Sequence, residues 1–164
     1  MPFNLLLANR LHHGTSFKEN GVTVSIKPES GETILFFHLD SDKNRQQFNK
    51  HFGIANRGEP ICDLLIYYFK HAHNEPAKAI CLVELKGRDT SHGAKQLLNT
   101  YEIFNKKLAG DRLFQNFMWG AVIIPHSKSS VPKNIKSLLK PLGDKGVKCE
   151  TMRKELGTFI RSLK

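Results

Sequence analysis

Apolar residues in this chain fall into short runs of two different periods, and each change of period marks an element. Val22, Val24 and Ile26 alternate with Thr23, Ser25 and Lys27, which predicts a half-buried strand over 21–27. Pro28-Glu29-Ser30-Gly31 supplies turn chemistry, and 33–39 predicts a second strand, so the two read as a hairpin. The runs 61–69 and 79–86 are almost continuously apolar, the signature of central strands covered on both faces. A polar connection over 70–78 makes them antiparallel partners. From 92 to 108, Ala94, Leu97, Leu98, Tyr101, Phe104 and Leu108 recur at helical spacing. Thr90 or Ser91 is placed to cap that helix, and Gly110 stands where a left-handed residue ends it. Beyond it, 117–124 predicts a fifth strand ended by Pro125, 134–142 a short helix ended by Gly143, and 147–152 a last strand. Residues 156–163 read as a terminal strand or helical turn. The opening 1–18 has no clean period and fits a short helix or a coil. In 40–56, Phe48 and Phe52 are four apart in a polar stretch, which fits a short amphipathic helix or an ordered insertion.

Neither a repeat nor a linker interrupts this order. It predicts an α/β fold, one domain over 1–164 with a central mixed β-sheet flanked by helices. Its core spans about 21–124, and 125–164 forms a basic C-terminal extension of the same domain.

Composition narrows the function classes. A chain of 164 residues with 40% hydrophobic and 24% charged residues is long enough to bury a real core. No run approaches the roughly 18 apolar residues of a membrane span. The apolar stretch from Phe3 to Leu7 is too short and too interrupted for a signal peptide, so the expected compartment is the cytoplasm, with no membrane partner. Cys62, Cys81 and Cys149 are odd in number and widely spaced, which predicts reduced, core-type thiols rather than a zinc ribbon or a redox pair. The net charge of +10 favours polyanionic partners. From Lys128 to Lys164, ten Lys or Arg residues stand against Asp144, Glu150 and Glu155.

Candidate chemistry sits at the end of the fourth strand. Side chains alternate along a strand, so Glu84 and Lys86 share a face while Leu85 points to the other. If 61–69 and 79–86 are hairpin partners, Asp63 near the start of one lies beside Glu84 near the end of the other. Two close carboxylates repel unless a cation lies between them. Mg²⁺ (or Mn²⁺) suits such an oxygen site and bridges to phosphate oxygens. Lys86 is placed to orient a water or offset developing negative charge. The positive start of the following helix, with His92 and Lys95, is placed to hold a backbone phosphate, and Lys128 lies in a later Ser/Lys/Pro loop with the same potential. The pairs His12-His13 and His71/His73 lack partners at zinc spacing and read as surface loop residues. Tyr67, Tyr68 and Phe69 read as core.

Asp63, the triplet Glu84-Leu85-Lys86 and Gln96 in the next helix together resemble the restriction-endonuclease-like PD-(D/E)xK nuclease superfamily. The resemblance implies a restriction-endonuclease-like core running helix, three strands, helix, strand. It also implies that Asp63 and Glu84 ligate the metal, that the Leu85 carbonyl assists, and that Lys86 and Gln96 belong to the catalytic set. Residue 62 is Cys where the pattern has Pro, Tyr101 lies five residues after Gln96 rather than four, and the acidic residue that relatives often carry on their first helix has no clear counterpart. Glu59 is the nearest substitute, with Arg45 or Gln46 as non-acidic alternatives. The expected function is metal-dependent hydrolysis of phosphodiester bonds in DNA, with RNA as a second substrate. Duplex cutting by a one-site chain would call for a homodimer. The alternative is a catalytically inactive basic nucleic-acid-binding module of the same fold; a protein-interaction domain is a third class.

Overall fold

A computed structural model describes residues 10–41, 49–50, 52–54, 58–71, 76–86, 90–110, 116–126, 131–152 and 155–163. In chain order the elements are β1 (Leu11–His12), β2 (Ser16–Glu19), β3 (Val22–Ser25), β4 (Glu32–His38), β5 (Leu64–Lys70), β6 (Ala77–Lys86), α1 (Thr90–Leu108), β7 (Met118–Pro125), α2 (Ile135–Gly143), β8 (Lys148–Thr151) and α3 (Leu156–Arg161). Six strands form one sheet in the order β1-β4-β5-β6-β7-β8, and β2 with β3 forms a separate two-stranded ribbon. Pairing is antiparallel from β1 to β6 and parallel from β6 to β8, so the sheet is mixed.

Every residue from Ala79 to Leu85 is buried, because both sheet faces are covered. On one face Leu65, Ile80, Leu82, Ala121 and Ile123 meet Leu97, Tyr101 and Phe104 of α1 and Ile135 and Leu139 of α2. On the other, Ile66, Cys81, Val83 and Val122 meet Phe17, Val22 and Val24 of the ribbon and Phe159 and Ile160 of α3. Gly120 lets α3 approach closely: a Cβ there would lie 2.8 Å from Leu163 and 3.0 Å from Phe159. The segment after 124 is therefore built into the same two-faced core. Among the described residues, no helix is long and apolar enough to cross a membrane.

Several sequence expectations need correction. The strand at 22–25 does not pair with the strand at 33–39. It pairs with β2, whose register joins Glu19 to Val22, while β4 pairs with β5 and β1. The cause is the dipeptide Asn20-Gly21, with φ of 50° and 74°, which makes the tight two-residue turn that matches strand twist. Pro28 to Gly31 instead carries the chain from the ribbon to the main sheet. The undecided opening is strand from Leu11 onward. Helix α1 starts at Thr90, so Thr90 and Ser91 are its first helical residues rather than caps, and Gly110 does not take a left-handed conformation. The short helix runs through Gly143, with the positive φ falling at Gly146, and of the two readings of the terminal segment, strand or helical turn, the helix is the one formed. Phe52 is buried, while Phe48, Arg45, Gln46, His73 and Lys128 lie outside the described residues.

Candidate active site

Asp63 lies one residue before β5, and the register Leu64 to Val83 sets it opposite Glu84. Their side chains are interlocked with the backbone. The Asp63 N–H donates to Glu84 Oε2 at 3.2 Å, and the Leu85 N–H donates to Asp63 Oδ2 at 2.7 Å. The Leu39 N–H holds the Asp63 carbonyl at 2.8 Å, so the residue is pinned from both neighbouring strands. Lys86 Nζ forms an ion pair with Glu84 Oε1 at 2.8 Å, and no directed hydrogen bond completes that oxygen.

Helix α1 fixes the segment that delivers Asp63. Gln96 Nε2 donates to the Ile61 carbonyl at 2.8 Å, Asn99 to the Pro60 carbonyl at 2.7 Å, and the Cys62 N–H donates to Thr100 Oγ1 at 2.8 Å. Gln96 thus acts here as a clamp on 60–62, with its Oε1 buried and unpaired. Gly93 lets the first turn of α1 lie directly on the site. A Cβ there would come 3.1 Å from Glu84 Cγ and 3.2 Å from Lys86 Cγ. His92 and Lys95 are exposed on the same turns.

From the opposite face, the ribbon tip closes the sheet end. Asn20 Nδ2 donates to the Leu85 carbonyl at 3.3 Å, so one lone pair of that carbonyl is taken. Glu19, the residue before it, lies 3.7 Å from His38 Nε2.

Electrostatics separate these groups from ordinary surface carboxylates. Burial pushes Glu84 up to about 8, with the Asp63 charge adding to the rise and Lys86 opposing it. Burial likewise raises Asp63, against the Leu85 N–H and Lys86. Glu19 rises to about 7, first from burial, then from the charges of Asp63 and Asp40. His38 is lowered, chiefly by burial and then by Arg10. Three carboxyls thus crowd one sheet end with too little positive charge for all of them.

The structure brings Asp63, Glu84, Leu85 and Lys86 together, with Gln96 supporting from behind. Glu59 is half-buried beside Pro60 and makes no hydrogen bond or ion pair among the described residues. His12 sits in β1 rather than in a loop and bonds the Ser16 carbonyl through Nε2, and His71 stacks edge-on against Phe69. Cys62 and Cys81 are buried free thiols, and burial pushes both upward. Sequence reasoning missed Glu19 and Asn20. The Asn-Gly turn signal was the available clue to the ribbon, though not to where its tip would land.

Among the described residues, no group of three or more His, Cys, Asp and Glu is placed to hold a metal ion. What the strands offer is a pair of carboxylates, one with an oxygen satisfied only by an ammonium. Mg²⁺ typically takes one or two carboxylates and keeps several waters, so this hard-oxygen pair fits Mg²⁺ or Mn²⁺ and does not fit zinc. No family model, no curated protein and no solved structure matches this chain.

Proposed function

We propose that this protein is a divalent-metal-dependent nuclease of the PD-(D/E)xK type, acting on DNA, with RNA as a second substrate. One observation carries the reading. Two covered carboxylates, Asp63 just before β5 and Glu84 in β6, are fixed by the Leu85 N–H and the Asp63 N–H respectively, with Lys86 paired to Glu84. A structural ion pair has no need of the second carboxylate, which raises the pKa of the first. The order β4-β5-β6-α1-β7, with β7 parallel to β6, supports the restriction-endonuclease-like core. The preceding helix of that core is not among the described elements.

Asp63 and Glu84 would hold Mg²⁺ or Mn²⁺, which when bound lowers the pKa of water and stabilises charge on the scissile phosphate. Lys86 then faces two tasks that its ammonium suits, orienting the attacking water and offsetting charge on the phosphoryl oxygens. Gln96 keeps Asp63 in register by holding Ile61. The net charge of +10 draws the polyanion to the site.

Incubation with plasmid and with single-stranded DNA and RNA, with Mg²⁺ and with chelator, tests the reading. Glu84→Gln and Lys86→Ala should each lower metal-dependent cleavage at least about 100-fold with the fold retained. Full activity in either variant would sink it. The second reading, a binding module without catalysis, is favoured by the closed Lys86–Glu84 pair, in which the ammonium already occupies Glu84. Salt-sensitive binding of nucleic acid with no cutting at any metal concentration would select it.

A further inference from the structure

We propose that the hydroxyl of Thr90, at the first position of α1, is the donor of a phosphate subsite beside Lys86. The subsite stands on its own geometry; that the phosphate belongs to a nucleic-acid strand rests on the reading above.

Thr90 is 1% exposed, and among the described residues its Oγ1 has no hydrogen-bond partner. A buried hydroxyl without a partner has given up its water for nothing, and folded proteins seldom carry one without a reason. The usual escape for a helical threonine is the carbonyl four residues back. Thr90 opens α1, so the residue four back is Lys86 of strand β6 and not a turn of the helix.

Position explains what the hydroxyl is for. Residues 90, 93 and 97 share one face of α1 at helical spacing. Gly93 rests on Glu84 and Lys86, and Thr90 stands three residues, about 4.5 Å along the axis, nearer the start of the same helix. The first turn of α1 holds no acidic residue, so no side chain of its own neutralises the positive end of the helix dipole. A 19-residue helix start of this kind favours phosphate. Threonine in a helix populates two χ1 rotamers, so one side chain can be covered in the empty molecule and turned toward a ligand.

The test uses the full chain with chelator present, so that no cleavage intervenes. Inorganic phosphate and then a 5′-phosphorylated single-stranded tetranucleotide are titrated into ¹⁵N-labelled protein. The amides of Thr90 and Gly93 should shift with both, and the tetranucleotide should bind more tightly. Thr90→Val should weaken phosphate binding about ten-fold, the cost of one charge-assisted hydrogen bond, and Thr90→Ser should restore it. Still resonances at the start of α1 in the native protein would overturn the proposal, even if Thr90→Val failed to fold. Equal binding by native protein and Thr90→Val would overturn it too. Phosphate binding without tetranucleotide binding would overturn its assignment to nucleic acid. Cleavage that survives Glu84→Gln would remove the catalytic reading and leave the subsite intact. Cleavage lost in Glu84→Gln, with unchanged phosphate binding in Thr90→Val, would do the reverse.

Discussion

Two glutamates, Glu32 and Glu84, lie at opposite ends of the main sheet, each with a side chain 0% exposed, yet they are treated in opposite ways. Glu32 accepts Arg161 Nε at 2.8 Å and an Arg161 terminal nitrogen at 2.9 Å, a bidentate grip, along with the Tyr68 hydroxyl at 3.0 Å and the Glu29 N–H at 2.9 Å. With Arg161 as the leading cause, its carboxyl is held down at about 2. Glu84 has one ammonium and one amide, and a second carboxylate beside it, and rises to about 8. Glu84 is the more deeply buried of the two, and it is also the less well satisfied. Glu32 is finished by its own chain, in a network that ties α3 to β4 and β5. Glu84 is left short of positive charge, a deficit that the cation of the proposed site would make good.

The largest expected effect comes from breaking the satisfied end. Arg161→Leu strips Glu32 of its bidentate partner, leaving the Tyr68 hydroxyl, the Glu29 N–H and Lys70 at 3.6 Å, and should cost about 2–4 kcal/mol in denaturant unfolding, with little change in any metal binding at the far end. A smaller and opposite effect is expected at the other end. Glu84→Gln removes a carboxyl that the fold forces upward, so metal-free protein should gain about 1–3 kcal/mol at pH 8 and much less at pH 5. A loss of stability at pH 8 would show that Lys86 satisfies Glu84 as fully as Arg161 satisfies Glu32.

The pH dependence separates the same two residues. Glu84 and Glu19 have raised values, so the native state holds their protons longer than the unfolded chain. Their contribution is fully present below about 4.5 and is lost as pH rises toward 7 and 8. Glu32 is depressed, so its contribution is present above about 4.5 and is lost as pH falls toward 2. Chelated protein should melt at its highest temperature near pH 5. Glu19→Gln should flatten the alkaline limb by about 1 kcal/mol, as the more exposed of the two raised carboxyls.

How much of this was legible in the sequence follows from the range of each interaction. The apolar runs around Asp63 and Glu84 are local, and a hairpin between them follows from a short connection, so their adjacency could be read directly. The ribbon was misread because Gly21 was taken as a strand start, when Asn20-Gly21 is itself the turn. Asn20 bonds the Leu85 carbonyl and Glu19 feels the Asp63 charge across two sheets, and no periodicity records that. The Arg161–Glu32 bond spans 129 residues and left no pattern at all. Gln96 was read from a family pattern as part of the catalytic set; the bond from its amide to the Ile61 carbonyl became visible only once the helix was docked.

The smallest expected change in stability lies at Gly93, where two effects oppose each other. Alanine in a helix interior is favoured over glycine by about 1 kcal/mol. The added Cβ, however, would sit 3.1 Å from Glu84 Cγ and 3.2 Å from Lys86 Cγ, so the pair must yield by a few tenths of an ångström. Lys86 ends in a side chain 18% exposed and can shift outward, while Glu84 is held by the Asp63 N–H and cannot. Gly93→Ala should therefore unfold within about 0.5 kcal/mol of the native chain, while moving the Lys86 ammonium off Glu84 Oε1. Binding of Mn²⁺, followed by its electron paramagnetic resonance signal, should change more than the melting temperature does. A variant that melts several degrees lower with unaltered Mn²⁺ binding would mean that Gly93 serves packing of the helix, and that the short contact with the site is incidental.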